Sequence, residues 1–201
     1  MILGFGRLDD PALRIADTPL LLRPPRMEDF PAWEALRRES RAFLEPWEPV
    51  GPDGDLTRGG FRSRLRRYSR EAASEEAFTF LIFRHADGRL LGGITVGNTR
   101  RGVAQMATIG YWMGEPFAGK GVMTHAVSLA CRFAFAKLAL HRVEAACLPE
   151  NVRSMRLLEK SGFRKEGLAR QYLRIAGSWR DHVLFARLVS DPPHAVERAR
   201  V

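Results

Sequence analysis

The segment Gly114 to Thr124, GEPFAGKGVMT, constrains the fold of this chain more than any other. It follows Ala107 to Met113 (ATIGYWM), a β-branched and aromatic run suited to a buried strand. It precedes Val122, Met123, Ala126, Val127, Ala130, Phe133 and Ala134, apolar residues that recur at helical spacing. Strand, glycine loop and helix in that order make an anion site. Gly119 and Gly121 let backbone N–H groups approach a pyrophosphate, the helix brings the positive end of its dipole, and Lys120 adds a full charge. The plain alternative is a tight strand-to-helix turn with no ligand.

Two nucleotide motifs come close and fail. Gly114 to Lys120 fits G-x-x-x-x-G-K, but Gly121 stands where a nucleotide-hydrolysing loop needs Ser or Thr for magnesium, and Thr124 comes three residues too late. The dinucleotide pattern G-x-G-x-x-G loses its third glycine to Thr124, and no acidic residue ends a following strand about 20 residues on. Cys131 and Cys147 have neither disulfide nor metal spacing and read as core residues, and the five histidines are scattered, so no metal is expected. With 201 residues, 45% of them hydrophobic, the chain has room for one domain with a proper core, expected over residues 12–189 with a polar tail over 190–201. No apolar run reaches membrane-spanning length and the opening lacks a leader pattern, which leads us to expect a cytoplasmic protein with no membrane partner.

Along the chain, Thr18 to Pro24 reads as a first strand and Asp29 to Ser40 as a helix turning Phe30, Trp33 and Leu36 inward. Pro46 to Pro52 breaks the pattern. A helix with six arginines between Arg58 and Arg70 follows, its buried stripe made by Phe61, Leu65 and Tyr68. Phe78 to Phe83 pairs with Leu90 to Val96 across Asp87-Gly88, and a loop at Asn98 to Gly102 leads into ATIGYWM. Beyond the long helix come a strand at His141 to Leu148, a short helix opened by Pro149-Glu150-Asn151 and closed at Gly162, and a last antiparallel pair, Leu168 to Ile175 with His182 to Leu188.

This order of parts resembles the Gcn5-related N-acetyltransferase (GNAT) superfamily. Pro46-Trp47-Glu48-Pro49, Ile109-Gly110-Tyr111, Gly119-Lys120-Gly121, His141-Arg142, Asn151 with Ser154, Gly162-Phe163, Glu166-Gly167 and Trp179 to Leu184 together look like its RimJ/RimL branch, the N-terminal acetyltransferases of ribosomal proteins. Within that branch, the enzymes that modify alanine are the nearer likeness. The resemblance implies a mixed α/β fold with a central, mostly antiparallel, splayed sheet flanked by helices. It implies acetyl-coenzyme A as the acetyl donor, bound along Met113, Phe117, Ala118, Gly119, Lys120, Gly121, Val122 and Met123, with Asn151 and Ser154 beside its thiol. The implied acceptor is the N-terminus of a ribosomal protein.

Acetyl transfer to an amine needs a neutral nucleophile, a held carbonyl and a proton for the leaving thiolate. Backbone N–H groups near Met113, at the open end of the strand, are the expected carbonyl donors. Ser154, three residues after Asn151 and on the same helix face, can protonate the thiolate while Asn151 fixes the donor's arm. The plainer reading is that Asn151 is an N-cap and Ser154 takes part in capping. Where the RimL pattern has a glutamate, this chain has Gln171-Tyr172, so a base is not carried over. Glu48, Glu115 and Asp181 are the remaining candidates, each with a structural duty as alternative: Glu115 in the phosphate loop, Asp181 in the final hairpin. Trp47 and Tyr172 either pack inward or line the slot that admits a peptide end.

The net charge is +9, from 32 basic against 23 acidic residues, and 28 of the basic ones are arginine. This balance favours anionic surroundings and weighs against polyamine or aminoglycoside acceptors, whose sites need acidic groups. The arginine-rich helix reads as a solvated face or as a contact for ribosomal RNA. A ribosome-assembly or RNA-binding factor on the same scaffold is the competing class, opposed by the intact Gly119-Lys120-Gly121, Asn151 and Ser154.

Overall fold

The structure, a computed structural model, describes residues 15–17, 19–51 and 55–192. Its strands are β1 (Ile15–Asp17), β2 (Leu20–Arg23), β3 (Phe78–Arg84), β4 (Leu90–Arg100), β5 (Met106–Met113), β6 (Arg142–Cys147), β7 (Arg164–Ile175) and β8 (Ser178–Leu188). Its helices are α1 (Phe30–Glu39), α2 (Arg41–Leu44), α3 (Arg58–Ala73), α4 (Val122–Arg132) and α5 (Val152–Lys160). One sheet holds all eight strands in the order β1-β2-β3-β4-β5-β6-β8-β7. Every neighbouring pair is antiparallel except β5 with β6, which α4 joins as a parallel crossover. This is the mixed, mostly antiparallel sheet expected from the sequence.

The core explains why these segments settle as they do. Phe80, Ile82, Ile94 and Val96 from the sheet and Ala126, Val127 and Ala130 from α4 have at most 1% of their surface exposed. Burial of a large apolar side chain is worth roughly 1.5–3 kcal/mol. Phe133, in the π-helical turn Phe133–Lys137 that continues α4, meets Phe78 and Phe80 edge-on at 5.2 Å each. Trp33 of α1 and Phe61 of α3 stack at 4.8 Å and tie the two helices together. At Gly92 of β4 a Cβ would lie 2.4 Å from the Trp112 carbonyl oxygen, so glycine is what lets the end of β5 come this close.

Several boundaries differ from the sequence reading. The short strand β1 was not anticipated, and β4 runs on to Arg100 through part of the segment expected to be a loop. Pairing with β5 shifts register between Gly97 and Arg100, and Asn98 sits at φ +49°, the local kink that a loop-like composition signals. In α3, Phe61 is buried but Leu65 and Tyr68 are only half-buried, so the buried stripe is narrower than its periodicity implies. The final hairpin is longer at both strands, and its turn lies at Ala176-Gly177 as expected. Most of the 190–201 tail lies outside the described residues.

Candidate functional site

The crossover creates the site. β5 and β6 pair only through Met106 with Arg142, Ala107 with Val143 and Thr108 with Glu144. Beyond those three pairs β5 follows β4 to Met113, while β6 follows β8 to Cys147. A wedge therefore opens between Ile109–Met113 and Ala145–Cys147, with the glycine loop at the end of one wall and α5 at the end of the other.

The loop is built to present backbone. Gly119 and Gly121 stand at φ +75° and +76°, and an added Cβ at either would meet nothing within 4 Å. The left-handed conformation is what glycine is for here, and the space above it is open. Gly121 is the N-cap of α4, so the first-turn N–H groups, those of Val122, Met123 and Thr124, have no intrahelical acceptor. Lys120 Nζ donates to the Pro116 carbonyl at 2.8 Å, which holds its charge over the loop. Met113, Phe117 and Met123 are buried, and Phe117 is covered by the Arg89 guanidinium at 4.9 Å. Their side chains belong to the core, and only their backbone can reach a ligand. The Ala118 N–H is already donated to the Glu115 carbonyl at 3.1 Å. These groups suit a diphosphate: an open left-handed loop, helix-terminal N–H groups and one ammonium.

Across the wedge, Asn151 is the N-cap of α5 and its Oδ1 accepts from the Ser154 N–H at 3.1 Å. The capping reading of Asn151 is therefore correct, and its amide NH2 is left over for another partner. Ser154 enters that cap through its backbone alone. Its hydroxyl is bonded to Tyr111 Oη at 2.6 Å. Burial raises the Tyr111 phenol above its ordinary range, and burial pushes the Cys147 thiol up to about 11. Both groups stay protonated at neutral pH. Tyr111 is the residue missed by sequence reasoning: the Ile109-Gly110-Tyr111 triplet stood out, but only the fold shows that its hydroxyl meets Ser154.

Two of the three candidate carboxylates, those of Glu48 and Asp181, are otherwise engaged. Glu48 forms a two-point pair with Arg37 at 2.7 and 2.6 Å, and Arg37 lies 5.0 Å over the Trp112 ring of β5. The Glu48 carbonyl also accepts from Ala176 N–H at 3.1 Å, so this residue links α1 to the tip of the β7–β8 hairpin. Asp181 Oδ1 accepts from Gln171 N–H at 2.8 Å, inside a bulge where β7 shifts register between Ala169 and Leu173. Gln171 takes φ +46° there, a conformation costly for a non-glycine residue, and Asp181 holds it in place. Glu115 donates its backbone N–H to Ser40 Oγ at 2.9 Å and is exposed. Trp47 and Tyr172 do not pack inward: they are 38% and 45% exposed, and the Tyr172 ring meets that of His182 edge-on at 5.9 Å.

A wedge between parallel strands, an open left-handed glycine loop on one wall and a hydroxyl at the far side make up the candidate site. A family model for the acetyltransferase (GNAT) domain matches residues 19–164. The chain belongs to the GNAT acetyltransferase family and is an N-acetyltransferase. It is 40% identical over 172 residues to the probable N-acetyltransferase YjcK of Bacillus subtilis, covering 86% of this chain and 95% of that one. It is 35% identical over 190 residues to the [ribosomal protein uS5]-alanine N-acetyltransferase of Escherichia coli, covering 93% and 97%. The structure of Mycobacterium smegmatis RimJ in complex with CoA-disulfide superposes with a TM-score of 0.84 at 36% identity, covering 89% of this chain and 86% of that one. These relatives agree with the likeness to the RimJ/RimL branch read from the sequence.

Proposed function

We propose that this chain transfers the acetyl group of acetyl-coenzyme A to the N-terminal amine of a ribosomal protein, that the terminal residue is alanine, and that residues 12–189 are the catalytic unit, working in the cytoplasm. One observation carries the reading: the wedge where β5 and β6 part has the Ser154 hydroxyl at its open end and the α4 N-terminus at the end of the facing wall. The loop from Ala118 to Val122 fits the donor's diphosphate, and the spare amide of Asn151 fits its amide-bearing arm.

In the reaction the amine nitrogen attacks the thioester carbonyl carbon. The C–N bond forms, the C–S bond breaks with its electron pair going to sulfur, Ser154 supplies the proton that sulfur needs, and the nitrogen proton passes to water. An α-amino group has a pKa of about 7.7–8.0 against about 10.4 for lysine, so an N-terminal amine is substantially neutral at physiological pH and needs only a weak base. This suits a site whose Glu48 and Asp181 are tied into structural contacts. Cys147 keeps its proton and is a poor nucleophile, which supports direct transfer without an acetyl-cysteine.

The acceptor assignment rests on the relatives' names and on the surface beside the wedge. Exposed Trp47 and Tyr172, with Glu48 and Asp181 shaping the 45–48 turn and the β7 bulge, would line the path of a peptide end. Incubation with acetyl-coenzyme A and a ribosomal protein extract, followed by intact-mass and terminal-peptide analysis, is expected to show one acetyl group on an alanine N-terminus. Efficient turnover of spermidine or an aminoglycoside with no acetylation of alanine-terminated peptides would remove the ribosomal assignment.

A ribosomal acceptor makes an RNA contact useful, and α3 offers one. Arg58, Arg62, Arg66 and Arg70 are all exposed and follow each other every fourth residue, about 6 Å apart along the axis. Among the described residues no carboxylate pairs with Arg62, Arg66 or Arg70, although Arg64 and Arg67 on the same helix are paired with Asp55 and Glu71. Like charges at this spacing repel, so the row costs the isolated helix stability and suits a polyanion. Binding to a ribosomal RNA fragment should weaken with salt with a log–log slope near about −3, and the pair Arg62→Gln and Arg66→Gln should roughly halve it. A slope near zero would return this helix to a solvated face.

A further inference from the structure

We infer that Tyr111 is a positioning residue for acetyl transfer: its hydroxyl, bonded to Ser154 across the wedge, turns the Ser154 proton toward the departing sulfur. The inference rests on the reading of Ser154 as the leaving-group acid and adds the group that makes serine fit for that work.

Tyr111 lies on β5 three residues past the last pair with β6, and Ser154 lies in the first turn of α5. Their hydroxyl oxygens are 2.6 Å apart, a contact between residues 43 apart in sequence that joins β5 to the first turn of α5. It serves no helix cap, because Asn151 already satisfies the Ser154 N–H.

The number of protons and lone pairs then decides the direction of the bond. A phenol has one proton to give, and among the described residues Ser154 Oγ is the hydrogen-bond partner of the Tyr111 hydroxyl. A half-buried phenol that keeps its proton at neutral pH donates it rather than leaving it unpaired. Ser154 Oγ accepts, and its own proton must point elsewhere. Among the described residues Oγ has no second hydrogen-bond partner, so the wedge is the remaining direction.

The same bond supports the step itself. As the C–S bond breaks and the Ser154 proton moves to sulfur, negative charge grows on Oγ. The Tyr111 O–H is already aimed at that oxygen and costs no reorganisation. The proton shed by the amine nitrogen returns to Oγ through water, which restores serine for the next turnover. Without the phenol, the serine hydroxyl becomes a free rotor and its developing charge loses its donor.

The test is a double-mutant cycle on the full chain, with kcat and KM under conditions where chemistry limits the rate, the acetyl-coenzyme A dissociation constant by calorimetry, and Tm. Tyr111→Phe, which deletes one oxygen and keeps the ring, should lower kcat roughly 10-fold and leave the dissociation constant within about twofold. Tyr111→Phe combined with Ser154→Ala should be no slower than Ser154→Ala alone, because the phenol acts only through the serine. An unaltered kcat in Tyr111→Phe beside a slowed Ser154→Ala overturns the inference and leaves the acid reading standing. Losses that multiply in the double variant also overturn it, as does a fall in Tm and donor affinity with no change in kcat, the pattern of a mere brace. An unaltered Ser154→Ala removes the acid reading and the inference together.

Discussion

Ser154→Ala is expected to lower kcat by ~100-fold or more, the usual worth of a general acid, while the affinity for acetyl-coenzyme A changes little. The split between the two quantities is the informative part. Ser154 contributes its backbone N–H to the α5 cap, and alanine preserves that bond, so the helix end and the Asn151 side chain should stay where they are. A loss confined to kcat therefore reports the hydroxyl alone. Steady-state rates with an alanine-terminated peptide, set beside calorimetric binding of the donor, make the comparison. A variant that turns over at the parent rate when chemistry is limiting would leave the serine with no part in proton transfer.

Gly121→Val should act on the other quantity. At φ +76° a β-branched residue is strongly disfavoured, and left-handed backbone costs an ordinary residue roughly 1–2 kcal/mol before any clash is counted. The loop can relieve that strain only by leaving its present conformation, which re-aims the first-turn N–H groups of α4. Affinity for acetyl-coenzyme A should fall roughly 5- to 30-fold, the factor that corresponds to this energy. Gly121 is exposed and its Cβ direction is open, so the fold should tolerate the change and Tm should move little. Unchanged donor affinity in a folded variant would count against the loop as the diphosphate site.

The loop was readable in the sequence because it depends on local chemistry, whereas the splay of the sheet came from the family resemblance. Two glycines flanking Lys120, an apolar run before them and helical spacing after them specify strand, turn and helix with no long-range information. Asn151 with Ser154 was equally legible, since a good N-cap three residues before a hydroxyl is a pattern within one helical turn. What escaped were contacts set by tertiary placement. The hydroxyl of Tyr111 reaches Ser154 only because β5 and β6 diverge after three pairs, and nothing in either segment alone encodes where the divergence begins. Glu48 looked like a candidate base because its partner Arg37 is 11 residues away, on α1. Trp47 and Tyr172 were ambiguous for a related reason: hydrophobicity says that an aromatic ring prefers burial, and only the finished surface says whether the core had room for it.

The bulge in β7 has a consequence for how copies of this chain meet one another in concentrated solution. β7 is the last strand of the sheet, twelve residues long, and only Ile175 at its end is buried. A straight, open edge of that length is a template onto which another polypeptide can add, and the path from there leads to insoluble aggregates. Here the edge is interrupted: three residues, Arg170 to Tyr172, stand opposite the single Asp181, and Gln171 turns its backbone into the left-handed region. Arg164, Lys165, Glu166, Arg170 and Arg174 place charge along the rest. The opposite edge, β1, is only three residues long. The irregularity that re-aims Gln171 is thus also what keeps an exposed sheet margin from recruiting strangers.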